Sequence, residues 1–360
     1  MSRKSALVAG AAAVSAFVLV WVVVAVVVPL VEEAPCAGIQ FRTPAQAQPS
    51  PAEHGRRPPI GGQGGVAGRL RSALRGPGDA VYCHDFADPF VLRLGSAYYA
   101  YSTNTGDKHV PVLTSGGLFG TGHRSDALPA LPGWSRPGRV WAPAVLQRPQ
   151  GFVLYYATQA SSPDRQCLSR AVASGPSGPF VDTSSGPLVC PPNGGAIDAS
   201  PFVAADGRAY LLWKEFDGTA GIVSQELAPD GLNLIGPEVP VLGADQPWEA
   251  GVVEAPSMVG YEGRYYLFYS GNDWETANYA IGYAVCDSPL GPCTKPADSP
   301  WLTSTADAQG PGGPGLFTDE NGQLWLALHA WIHGKVGYPQ GARNLFVVPL
   351  GFANNVPVTV

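Results

Sequence analysis

From about residue 79 onward, short apolar runs alternate with polar and glycine-bearing turns. The pattern is clearest over residues 251–270, GVVEAPSMVGYEGRYYLFYS, where Glu254 precedes an apolar run, a turn follows, and residues 265–269 form a second run rich in aromatics. Run, turn and run of this kind predict a β-hairpin with a carboxylate at its mouth. Four more stretches share the shape, opening near Asp88, Trp141, Asp198 and Gly313.

The spacing of these units predicts the fold. Counting from Pro89 to Pro143, Pro201, Pro256 and Pro314 gives steps of 54, 58, 55 and 58 residues, each long enough for three or four short strands. Repeats of that length predict an all-β, five-bladed β-propeller, in which each blade covers the faces of its neighbours. A β-sandwich would explain the turns but not one pattern recurring at these intervals. With 45 glycines and 36 prolines in 360 residues, the composition also suits many short strands better than helices.

Three regions are expected. Residues 1–31 hold Arg3 and Lys4 ahead of an almost unbroken apolar run, which predicts a signal-anchor or a long signal peptide. Residues 32–78 are a linker rich in proline and glycine, and residues 79–360 form the propeller. The chain is therefore expected outside the cytoplasm, at the cell surface or free, with its N-terminal segment in or through a membrane. Six cysteines agree with an oxidising compartment and allow fifteen pairings. Cys286 with Cys293 closes most easily, Cys167 with Cys190 comes next, and Cys36 with Cys83 remains. The thiols are scattered and no CxxC occurs, so a zinc-thiolate site is not expected. A net charge of -6, with 14% charged residues, leaves no basic stripe for nucleic acid.

Innermost strands of a propeller run along its axis, so residues at the blade openings converge even when far apart in sequence. The acids Asp88, Asp198 and Glu254 stand at three of those openings, close to Pro89, Pro201 and Pro256. Three convergent carboxylates suit glycosidic hydrolysis: one gives a proton to the leaving oxygen, one activates water or attacks carbon, and a third keeps the acid protonated by like-charge repulsion. Aromatic rings can lie against sugar faces, which nominates Phe86, Trp141, Trp213, Trp248, Trp274 and Trp331. His84, beside Asp85, is a further candidate for substrate contact.

From Val81 to Leu350 these segments resemble the glycoside hydrolases of family 43, five-bladed propellers acting on arabinose- and xylose-containing polysaccharides. The resemblance rests on Asp88 in ADPF, the Trp-Ala-Pro of residues 141–143, Asp198 in IDASPF and Glu254 in EAPSM, in order and at blade spacing. It implies Asp88 as general base, Glu254 as general acid and Asp198 as the residue that orients the acid and raises its pKa. It also implies inversion at the anomeric carbon, with arabinan, arabinoxylan or another pentose-containing polysaccharide as substrate. Arg343 resembles the late arginine that approaches the sugar in many members. Many relatives carry a histidine in a PGH segment of the fifth blade; Gly313 stands there in this chain, and His329 is the residue left to offer an imaginable axial metal ligand. No cofactor is required by this reading, although calcium is admitted. The inserts at 116–138 and 156–166 are expected to wall one side of a pocket, favouring chain ends or branches. A noncatalytic carbohydrate-binding propeller, a protein-interaction propeller and a retaining fructan-type hydrolase are the alternatives.

Overall fold

The computed structural model describes residues 80–118, 122–216, 221–296 and 300–359. The expected anchor, the whole of the expected linker and Cys36 lie outside the described residues. Strand β1 (Ala80–Tyr82) opens the domain. Blade I is a meander of β2 (Phe90–Leu94), β3 (Ala97–Tyr101), β4 (Pro111–Ser115) and β5 (His123–Asp126). Blade II has β6 (Ser135–Arg148), β7 (Gly151–Ala160) and β8 (Gln166–Ala173). Blade III has β9 (Ala196–Val203), β10 (Ala209–Glu215), β11 (Gly221–Leu227) and β12 (Leu234–Gly243). Blade IV has β13 (Val253–Tyr261), β14 (Arg264–Gly271), β15 (Ala280–Cys286) and β16 (Cys293–Thr294). Blade V has β17 (Ala308–Thr318), β18 (Leu324–Ile332) and β19 (Arg343–Ala353), whose end pairs with β20 (Val356–Thr359).

The first strands of the blades touch in a closed ring, β2 to β6, β6 to β9, β9 to β13, β13 to β17 and β17 back to β2. This is the expected five-bladed propeller. Its ring is closed by β1, which adds antiparallel to β19 as the outer strand of blade V, with Ala80 opposite Phe346.

Five apolar clusters lie between the blades, and alternation along each strand divides its side chains between two of them. In β7, Phe152, Leu154 and Tyr156 pack toward blade I, while Val153, Tyr155 and Ala157 pack toward blade III. Strands covered on both faces read as continuous apolar runs, which explains FVLYYA in β7 and AYLLW in β10. The insert at 116–138 holds β5 and the start of β6, and the one at 156–166 falls on β7 and the turn into β8. Both segments build blades I and II, and among their described residues Gly138 lines the axial cavity.

Two of the expected disulfides are present, Cys286–Cys293 between β15 and β16 and Cys167–Cys190 in blade II. Blade II has three strands, and the edge of β8 is partly covered by Val181 and Val189, which bridge to Val172 and Leu168. The Cys167–Cys190 bond pins that covering segment. Cys83 is disulfide-bonded as well.

If β1 is the ring's clasp, charging its buried contact should loosen the whole domain. Ala80 is 1% exposed within the cluster between blades IV and V, and Ala80→Asp is expected to cost about 3 kcal/mol by leaving a carboxylate unpaired. A fall in the urea unfolding midpoint at unchanged slope checks this; an unchanged midpoint means the ring is closed by other contacts.

Candidate active site

One backbone feature recurs in every inner strand. Asp88, Ala142, Asp198, Ala255 and Gly313 have φ of 51°, 43°, 62°, 51° and 61°, the left-handed region that non-glycine residues rarely adopt. Ladder registers slip at this point in β6, β9, β13 and β17, as expected of bulges that re-aim side chains. A narrow axial cavity is lined by this residue and the next two from each blade, from Asp88-Pro89-Phe90 to Gly313-Pro314-Gly315.

This register corrects the alignment through proline. The residue after the bulge in blade III is Ala199, so Pro201 is not the counterpart of the other four prolines. Asp88 and Asp198 are equivalent, whereas Glu254 stands one residue ahead of its blade's bulge, in the position that Trp141 holds in blade II and Ile197 in blade III. Glu254, Trp141 and Ile197 accordingly line the same cavity, of about 420 Å3, together with Asp88, Asp198, Trp274, Tyr338 and Arg343.

Each carboxylate has its own surroundings. Thr103 Oγ1 donates to Asp88 Oδ2 at 2.5 Å, and Arg343 Nη1 lies 3.4 Å from Oδ1. Burial acts to raise the Asp88 pKa, but the Arg343 guanidinium and the Thr103 hydroxyl outweigh it and hold the group below the usual carboxylate range. His329 adds no charge at neutral pH. Its Nδ1 accepts the Asp88 backbone N–H at 3.0 Å, and burial depresses its pKa to about 3. Asp198 goes the other way: burial first, then the negative charges of Glu254 and Asp88, push it up to about 8 against the pull of Lys214 and of the Ala255 N–H, 2.8 Å from Oδ2. Glu254 accepts from Tyr279 at 2.8 Å on Oε1 and from Lys214 Nζ at 2.8 Å on Oε2.

Arg343 reaches Asp88 because its guanidinium lies over the Trp274 ring at 4.5 Å and Nε donates to the Tyr338 hydroxyl at 3.3 Å. Tyr338 in turn donates to Asp85 Oδ1 at 2.5 Å, which also accepts the Arg343 backbone N–H. Asp85 thus anchors the arginine wall. Phe86 is fully buried among Val91, Tyr98 and Leu345 between blades V and I, so it contacts no sugar. His84 packs edge-on against Tyr82 and does not line the cavity. Trp213 and Trp331 are fully buried, and Trp248 packs against Tyr269. Trp141 and Trp274 remain at the cavity.

His329 holds the backbone of Asp88. Its ring stacks on Tyr279 with centroids 5.9 Å apart, and these two rings occupy the space that side chains at 312 and 313 would fill: a Cβ on Gly312 would meet Tyr279 at 1.9 Å, and one on Gly313 would meet His329 at 2.8 Å. The glycine-rich GPGGPG stretch is therefore required by packing. Calcium takes six to eight oxygen ligands, and among the described residues no group of three or more acidic, histidine or cysteine side chains could hold a metal. His329 has one nitrogen to offer an axial ion, Nε2, which is buried without a hydrogen-bond partner among the described residues, while its Nδ1 accepts the Asp88 N–H.

Thr103, Lys214, Tyr279 and Tyr338 were not nominated from sequence. Lys214 did carry a signal, being a lone cation inside the apolar run YLLWK, where an unpaired ammonium is not tolerated.

A propeller with an ionised carboxylate and a proton-holding one in a single cavity at its axis defines a glycoside hydrolase. Comparison with known proteins agrees: the model for glycosyl hydrolases family 43 matches residues 79–357, and the chain belongs to that family. An Aspergillus niger protein named beta-D-galactofuranosidase xynD is 26% identical over 271 residues, covering 70% of this chain and 76% of its own. A probable arabinan endo-1,5-alpha-L-arabinosidase A of Aspergillus oryzae is 27% identical over 311 residues, covering 78% and 92%. Among solved structures, a thermostable family-43 glycoside hydrolase superposes with TM-score 0.68 at 28% identity, covering 76% of this chain and 92% of that one. An endo-1,4-beta-xylanase from Bacteroides thetaiotaomicron gives the same TM-score at 27% identity, covering 78% and 95%.

The Thr103 hydroxyl also accepts the Ala142 N–H at 3.0 Å. Thr103→Val removes a hydrogen bond that favours the ionised Asp88, so the acid limb of the rate profile is expected to move up by about one pH unit. Thr103→Ser should leave the limb in place. A limb that stays put in the valine variant, measured from pH 3 to 7, contradicts the assignment of that limb to Asp88.

Proposed function

We propose that this protein hydrolyses glycosidic bonds in arabinose- or xylose-containing poly- and oligosaccharides with inversion at the anomeric carbon. The observation that carries the proposal is the opposite bias of two equivalent bulge residues in one cavity, Asp88 toward the carboxylate and Asp198 toward the acid. In the proposed reaction Asp88 takes a proton from water as the water attacks the anomeric carbon. Glu254 gives a proton to the departing oxygen on the opposite face. Asp198 supports the acid, holding its loop through the Ala255 N–H and opposing loss of a proton from the pair. Arg343 and Trp141 are placed to hold the sugar, and Trp274 to keep Arg343 over it. The chemistry is proton transfer between carboxyl groups, water and substrate, and it needs no cofactor.

The name of one relative, an arabinan endo-arabinosidase, supports a pentose substrate, and that of another, a galactofuranosidase, adds a hexofuranoside to the compounds worth assaying. The disulfides place folding in an oxidising compartment. We further propose that residues 1–31 tether the enzyme to a membrane, with 32–78 as spacer, so that it acts on extracellular or envelope polysaccharide; this rests on the apolar run and the basic residues before it.

The test is reducing-sugar release by the purified protein on linear and branched arabinan, arabinoxylan, xylo-oligosaccharides, and aryl α-L-arabinofuranoside, β-D-xyloside and β-D-galactofuranoside. Asp88→Asn and Glu254→Gln should each lower kcat on the productive substrate by roughly 10³-fold with the fold retained. Binding of these sugars with no turnover by the wild type would instead mark a carbohydrate-binding propeller.

A further inference from the structure

Lys214 is the unexplained charge of the site. It stands on β10 opposite Ile197 of β9, is 6% exposed, and places Nζ 2.8 Å from Glu254 Oε2. With Tyr279 donating to Oε1, both oxygens of Glu254 are engaged by donors, so one of these contacts must open before an oxygen is free to carry a proton to the leaving group. The same ammonium lies 4.7 Å from the centre of the Phe216 ring, and Phe216 lines the cavity with 46% of its surface exposed. A proton donor stands beside the leaving oxygen, so Phe216, which lines the cavity, borders the space of the leaving sugar, and the Lys214 ammonium lies against both Phe216 and Glu254.

We infer that Lys214 is a positioning residue for the leaving-group sugar: its ammonium pairs with Glu254 in the empty site and is drawn to hydroxyls of the departing sugar when substrate binds. This rests on the hydrolase reading above. Glu254 then takes up the proton that Asp198 holds, leaving Asp198 as the carboxylate. On bond cleavage the proton passes to the glycosidic oxygen, Glu254 returns to the carboxylate, and Lys214 closes on it again; the proton that Asp88 took from the attacking water returns through solvent to Asp198, which restores the starting state. The charged groups facing Glu254 are Asp198 of blade III, Asp88 of blade I and Lys214, with the neutral Tyr279 hydroxyl of blade IV. A phenyl leaving group offers a ring to Phe216 but no hydroxyl to Lys214, so it should load the acid less well.

The experiment compares wild type, Lys214→Met and Lys214→Arg on one glycone carrying either a phenyl or a sugar leaving group, with pH profiles of kcat/KM and kcat. In the wild type, the alkaline limb of kcat is expected above that of kcat/KM for the sugar leaving group only, since the first reports bound enzyme and the second free enzyme. Lys214→Met should raise the alkaline limb of kcat/KM by about one pH unit for both substrates and lower kcat/KM roughly tenfold for the sugar leaving group alone. Lys214→Arg should restore most of both. An unmoved limb in the methionine variant, or equal losses on the two substrates, overturns the inference. A methionine variant that fails to fold leaves two readouts, the wild-type difference between limbs and the arginine variant. A wild type with no turnover overturns the hydrolase reading and this one with it.

Discussion

The structure depends on a backbone constraint repeated five times: each inner strand turns through a left-handed residue where it reaches the end of the axis. Without that bulge an inner strand would continue its alternation and carry its opening side chain into an inter-blade cluster. With it, Asp88 and Asp198 stand at matching places, Gly313 makes room for His329, and Glu254 and Trp141 line the cavity just ahead of the bulge. Left-handed conformation costs about 1 kcal/mol at a non-glycine residue, and four of the five positions are not glycine. Packing between the blades must hold them there, which links the apolar clusters directly to the chemistry.

Charge balance is the second determinant. The acids Asp88, Asp198 and Glu254 share the site with two cations, Arg343 and Lys214, and with a fourth carboxylate, Asp85, that anchors the arginine wall; acids outnumber cations, which favours keeping a proton in the site. The cations are not symmetric. Arg343 is fixed on Asp88 by Trp274, Tyr338 and Asp85, whereas Lys214 faces Glu254 and Asp198 from a separate strand. Asp88 is thereby held toward the carboxylate, the form the proposed base requires, while Asp198 is held toward the acid. These are the opposite biases that the proposed two-carboxylate hydrolysis uses.

Repeat spacing made the propeller legible, because each blade is a local meander whose turns and apolar runs are written in consecutive residues. The three acids were legible for the same reason, lying at the openings of those runs. Their exact register was not: Pro201 is offset by two positions from the other prolines, and only the φ angles show Ala199 as the counterpart of Pro89 and Pro256. Residues that act from other strands were also hidden. Thr103 lies two residues beyond the end of blade I's second strand, Tyr279 just ahead of β15, Lys214 near the end of an apolar run and Tyr338 in a loop, so their convergence depends on the closed ring. Phe86 shows the converse, since its place beside the acids in sequence suggested a sugar contact while its side chain fills the joint between blades V and I.

The most direct test of the account is the anomeric configuration of the first sugar released, followed by proton NMR from the moment of mixing. Water activated by Asp88 on the face opposite Glu254 predicts that the inverted anomer appears first and then mutarotates. First appearance of the retained anomer would make one carboxylate a nucleophile and contradict the assigned roles.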